Sequence, residues 1–147
     1  MGKDGAVSPD GHPWRHWTLG WLSGAGIGVA NGAVRRMALG RRMSEQRAHQ
    51  LSTLMLLLAI GQRFRHLQRR YPVRRTSTAL AIGATWAALT VGFELAMGRL
   101  VTKKSWDELI SDYDLRQGRV WSLVPVCMLV GPEVVRRAFP AETETDG

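Results

Sequence analysis

Four blocks of apolar positions alternate with strongly charged segments along this chain. The first block, Thr18 to Val34, holds seventeen residues without a charge, and Gly20, Gly24, Gly28 and Gly32 recur in it at every fourth position. In water each such glycine weakens a helix by roughly 1 kcal/mol relative to alanine. In hydrocarbon the backbone has no alternative partner, so the helix persists and the missing side chains become a groove for a neighbouring helix. The pattern therefore predicts a first membrane helix over 14–37. Trp14, Trp17 and Trp21 form an interfacial belt at its start, and Arg35, Arg36, Arg41 and Arg42 mark its far end.

The second block starts near His49 and has its apolar centre at Leu54 to Ile60. Its uncharged run, Ala48 to Gln62, spans about 22 Å as helix, short of the ~30 Å hydrocarbon core; Arg63 and Arg65 can extend it by snorkelling. The third block is uncharged from Thr76 to Phe93 and continues as helix to Gly98. The fourth covers 119–135 around an uncharged centre, Val120 to Pro132, where Pro125 predicts a kink. Between blocks three and four, Ser105-Trp106-Asp107-Glu108 fits the S-x-x-E capping box of a helix start. Trp106, Leu109, Ile110 and Tyr113 give that short helix an apolar side suited to lying along a membrane surface.

The predicted fold class is thus all-α: an up-and-down transmembrane bundle of about four helices with a short interfacial helix between spans three and four. Residues 1–13 read as a flexible tail, 14–137 as the bundle, and 138–147 as an acidic disordered tail carrying Glu142, Glu144 and Asp146.

Composition refines this picture. At 147 residues there is room for one domain. The mean hydropathy is slightly negative because polarity gathers in the tails and connections. The net charge of +8 comes from 17 arginines and 3 lysines against 12 acids. These basic residues sit at the ends of the apolar blocks, which points to anionic head groups as their counterpart and not to nucleic acid. Cys127 is the single cysteine, so neither an intrachain disulfide nor a cysteine-based zinc site is expected. Lys3 and Arg15 accompanied by Asp4 and Asp10 make a poor signal-peptide start. Four spans place ten basic residues on each side of the membrane. The connection Arg63–Arg75, with six arginines and no acid, tips both termini to the cytoplasmic side of a bacterial inner membrane.

Polar residues inside the blocks converge at one rim. At ~100° per residue, Asn31 and Arg35 share the stripe of Gly20, Gly24 and Gly28. Ala79, Gly83, Ala87, Thr90 and Glu94 share a face of the third block, while Leu80, Ile82, Leu89, Val91 and Phe93 mostly take the lipid side. An up-and-down bundle brings Asn31, Arg35, His49, Gln50, Glu94, Arg99 and Arg119 to one level, with Asp112, Tyr113 and Asp114 in the connection above. A glutamate at membrane depth needs a partner. Arg35 is the expected one and Arg99 the next, with His49 as a titrating or hydrogen-bonding neighbour. The packing positions are Gly20, Gly24, Gly28, Gly32, Gly83 and Ala87. No ligand pair has diagnostic metal spacing, and no phosphate loop, nucleotide fingerprint or nucleophile elbow is present, so no metal or cofactor is expected.

The strings Asn31-Gly32-Ala33-Val34-Arg35, Ala48-His49-Gln50-Leu51-Ser52-Thr53, Thr90-Val91-Gly92-Phe93-Glu94, Ser105-Trp106 through Asp112-Tyr113-Asp114, and Gly118-Arg119-Val120-Trp121 resemble a family of small bacterial multi-span membrane proteins. The resemblance covers the four blocks but neither tail. It implies a multi-pass membrane protein and carries no activity with it. Three functions are compatible with the residues. One is a scaffold or binding component that meets lipid, a second copy or a membrane partner protein. Another is an enzyme acting on a lipid or isoprenoid head group, with Glu94 or Asp112 as base and Arg35 or Arg119 as phosphate clamp. The last is proton-coupled transport, for which Leu54 to Ile60 offers no polar path.

Overall fold

A computed structural model describes residues 11–111, 113, 114, 116 and 120–141. Among these the chain is entirely helical: α1 (Gly11–Val34), α2 (Glu45–Arg70), α3 (Thr76–Leu100), the short α4 (Trp106–Ser111) and α5 (Leu123–Ala138). A π-helical turn, Arg35–Leu39, extends α1, and a 3₁₀ turn, Val120–Ser122, precedes α5.

The charged residues that bound the second apolar block do not end its helix. Arginine, glutamine and leucine are all good helix formers, so α2 runs 26 residues, through Arg63, Arg65, Arg69 and Arg70. Helix α4 begins with the expected capping box. The Ser105 amide donates to Glu108 Oε2 at 2.8 Å, and the Glu108 amide donates to Ser105 Oγ at 3.2 Å. Pro125 does not act as a kink. It is the third residue of α5, where an amide has no intrahelical acceptor to lose. The proline inside the helix is Pro132.

Successive long helices run in opposite directions, as the expected arrangement requires, but their neighbours differ from a simple ring. Helix α5 packs against both α3 and α2, and α1 packs against α2 and α3. Among the described residues the backbones of α2 and α3, joined by only five residues, make no close approach. These two helices lie across a diagonal and meet through rings, Phe64 and Trp86 having centroids 5.0 Å apart.

Two features bring α5 between them. Gly83 of α3 faces the main chain of Leu129 and Met128 so closely that any side chain there would strike the Leu129 carbonyl. Those carbonyls lie one turn before Pro132, whose missing amide leaves the Met128 oxygen without its usual helical donor. A glycine opposite lets the α3 backbone pack directly on this freed edge, where Cα–H groups can approach the carbonyls. On the other side of α5, Gly131 receives the Phe64 ring with no room for a Cβ.

The core consists of Trp17, Leu56, Ile60, Phe64, Leu67, Val73, Ala79, Ile82, Trp86, Val124 and Met128. Ile82 is 1% exposed, so it belongs to this core and not to the outer face assigned by periodicity. Because α5 lies beside α3, the buried arc of α3 widens to take in Ile82 as well as Ala79, Gly83 and Trp86. Buried indole N–H groups all find acceptors. Trp17 Nε1 donates to the Tyr71 carbonyl at 3.0 Å, Trp86 Nε1 to the Trp17 carbonyl at 3.0 Å, and Trp21 Nε1 to Thr90 Oγ1 at 3.0 Å.

Candidate functional site

The end of α1 and the start of α2 carry the polar corner. Asn31 Nδ2 donates to the main-chain carbonyl of Ser52 at 3.0 Å, fixing the register of the two helices. One turn on, Arg35 Nη1 lies 2.7 Å from His49 Nδ1. A guanidinium only donates, so Nδ1 is the acceptor in this contact. Ser52 Oγ closes the corner by donating to the His49 carbonyl at 3.0 Å. The His49 ring lies tilted against Trp121, with centroids 6.0 Å apart.

Arg35 is the first residue of the π-helical turn, whose widened geometry shows in the Gly40 amide donating to the Arg35 carbonyl five residues back at 2.8 Å. Such turns interrupt helical register and recur at functional positions. The partner found for Arg35 is therefore His49, where the sequence suggested Glu94. Arg99, the second choice for Glu94, turns away to the Lys104 carbonyl at 2.9 Å and lies over the Trp106 ring, 5.3 Å from its centroid. Gln50 is exposed, Glu94 is half-buried at the same end, and both are engaged by other groups. Tyr113 and Asp114 line an open hollow of about 450 Å³ with Asp107, Ile110 and Ser111. Asp112 and Arg119 lie outside the described residues. Among the described residues no three histidine, cysteine, aspartate or glutamate side chains gather to hold a metal.

The glycine stripe divides in two. A side chain at Gly20 would meet Leu67 at 2.9 Å, and one at Gly24 would meet Trp86 at 3.6 Å. Added atoms at Gly28 and Gly32 would meet nothing within 4 Å, so this half of the groove is uncovered in the single chain. Ala87 packs at the edge of the core.

The opposite end holds a network that the apolar blocks did not reveal. Glu133, 8% exposed, accepts from Arg136 Nε at 2.7 Å, Arg136 Nη2 at 2.8 Å and Arg137 Nε at 2.7 Å. Arg136 also donates to Thr76 Oγ1 at 2.9 Å and to the Arg74 carbonyl at 3.3 Å, tying α5 to the start of α3. Beside it the buried Gln68 bridges three main-chain groups. Its Oε1 accepts from the Val73 amide at 3.0 Å, and its Nε2 donates to the Val73 and Phe139 carbonyls, each at 3.2 Å. Arg65 and Arg69 lie over the Phe139 ring at 5.2 and 5.3 Å. A sequence signal existed: Glu133 precedes two arginines at i+3 and i+4, the spacing of helical ion pairs. Nothing local distinguished Gln68 from a surface glutamine.

Comparison with protein-family models, with curated proteins and with solved structures gives no match for this chain. The site has to be read from its own geometry.

Proposed function

We propose that the chain is a multi-pass membrane protein, a small helical bundle that serves as a scaffold or binding component through its Asn31–Arg35–His49 corner and the adjoining open glycine face. The observation that carries the membrane reading is α3. It is the described helix long and apolar enough to cross a bilayer, yet only 17% of its most apolar window is buried inside the chain. An equally apolar helix in a water-soluble protein would be the buried core element. Rows of exposed apolar side chains on the other helices support the same reading: Leu19 and Leu22 on α1, Leu54 and Leu58 on α2, Val126 and Val130 on α5. Contiguous apolar surface on this scale is foreign to soluble monomers.

Helix lengths fit unevenly. The 24 to 26 residues of α1, α2 and α3 give about 36–39 Å each. The 16 residues of α5 give about 24 Å, a mismatch that local thinning and terminal arginines accommodate. At the corner, one Arg35 donor is aimed at His49. The other N–H groups of a guanidinium remain for a carbonyl or anionic group of a partner. The uncovered Gly28 and Gly32 favour a helix, from a second copy or another membrane protein, as that partner. The chain is then a small bacterial multi-span protein of the kind its motifs resemble. Extraction of membranes with alkaline carbonate tests the reading: the chain is expected to stay in the pellet, and release into the supernatant overturns it.

A further inference from the structure

The turn between α2 and α3 and the end of α5 enclose a cleft of about 220 Å³, lined by Val73, Arg74, Arg136, Pro140 and Ala141. At ~30 Å³ per water this is room for roughly seven waters, enough for a phosphate diester. We propose that this cleft binds the phosphate head group of an anionic phospholipid. The inference rests on the membrane reading above and adds a ligand class at the end of the bundle opposite the Arg35 corner.

Charge comes first. Arg74 and Arg136 line the cleft, no carboxylate is among its described lining residues, and Glu133 beside it is shared between Arg136 and Arg137. Arg65 and Arg69 stand nearby on the Phe139 ring, and the whole run Arg63–Arg75 contains no acid. Geometry comes second. Arg136 is held by two bonds to Glu133, one to Thr76 and one to the Arg74 carbonyl, so its head is fixed in place before any ligand arrives. Its side chain keeps 21% of its surface exposed. Arg74 is exposed, and among the described residues its guanidinium has no acceptor, so a phosphate oxygen completes it. The surroundings decide between a lipid and a free anion. Val73, Pro140 and Ala141 make the rest of the lining apolar, and the exposed Val126, Val130 and Val134 run down α5 to this level, a path for an acyl chain.

The test uses the full chain in a non-ionic detergent, titrated with short-chain phosphatidylglycerol, with phosphatidylcholine of the same chain length, and with inorganic phosphate. Phosphatidylglycerol is expected to bind at least fivefold more tightly than either of the others. Replacing Arg74 with alanine should weaken that binding about fivefold, as expected for one basic contact at a lipid surface. Arg42→Ala, at the other end, should leave it unchanged. Equal binding of the two lipids, indifference to Arg74→Ala, or equally tight binding of inorganic phosphate overturns the proposal. A chain that pellets after carbonate extraction but shows no preference for phosphatidylglycerol defeats this inference alone, whereas a chain that washes off defeats the membrane reading beneath it.

Discussion

Between Trp17 and Gly24, α1 is pressed onto Leu67 and Trp86, whereas from Ala25 to Arg47 no residue of the chain is buried. The same division runs through the bundle. The half near the α2–α3 turn contains Phe64, Gln68, Val73, Gly83, Trp86, Gly131, Pro132 and Glu133, all buried. The half near Arg35 buries Ala48, Ser52 and Thr53 and packs Leu109 on Gly98, and α1 meets α2 there through Asn31 to Ser52 and Arg35 to His49. Close packing of Phe64, Gly83, Trp86 and Gly131, with the bonds of Gln68 and Glu133, makes the first half the stability-bearing part of the fold, although Arg63 Nε and Arg65 Nε are buried there without a hydrogen bond among the described residues. The second half, with an open groove and unused guanidinium donors, has the features of a surface that meets something else. A uniform glycine spacing is thus covered in one half, by Leu67 of α2 and Trp86 of α3, and open in the other.

Substitutions in the two halves should separate them in thermal unfolding in detergent. The largest effect is expected from Gly83→Val, which drives a branched side chain into the Leu129 main chain. A loss of about 3 kcal/mol or more, or failure to fold, is expected. A variant that melts like the parent would refute the α3–α5 contact. Gln68→Leu comes next, because it strands the Val73 amide and two carbonyls in a buried turn. The expected cost is about 2–3 kcal/mol. On the Arg35 side, Asn31→Ala removes one partly buried bond and should cost about 1 kcal/mol. A cost equal to that of Gln68→Leu would erase the contrast between halves. Smallest in stability is Gly28→Ala, which should gain up to ~1 kcal/mol, since the position is open in the single chain. Gly28→Leu with Gly32→Leu sharpens the comparison differently. It should leave folding intact while reducing the oligomer mass measured by light scattering, and an unchanged mass would argue against a helix docking on that face.

Much of the local structure was legible. The capping box at Ser105 and Glu108 needed only its own four residues, and Thr76 as the start of α3 followed from the last charged residue before an apolar run. Legibility failed where a residue's role depends on a distant segment. Ile82 looked outward because periodicity assigns one buried face per helix, and α5 widened that face. Arg35 was matched to Glu94 by charge, yet the nearer α2 supplied an imidazole nitrogen as acceptor instead. Gln68 carried no sign of burial, because its partners are a turn and a helix end, and the arginines at i+3 and i+4 marked Glu133 as paired without marking it as buried.

The sequence by itself determined an all-helical chain, the approximate extents of its helices and the gathering of arginines at their ends. Backbone hydrogen bonding, apolar periodicity and capping are local, and they act within a few residues. Only the tertiary structure decided that α2 and α3 face each other across a diagonal and that Gly83, Gly98 and Gly131, more than the regular stripe of α1, set the closest packing among the described residues. It also placed the bonds of Gln68 and Glu133 at the α2–α3 turn. These depend on which surfaces come into contact, and contact is fixed by the joint shape of all four long helices, a property no single segment encodes.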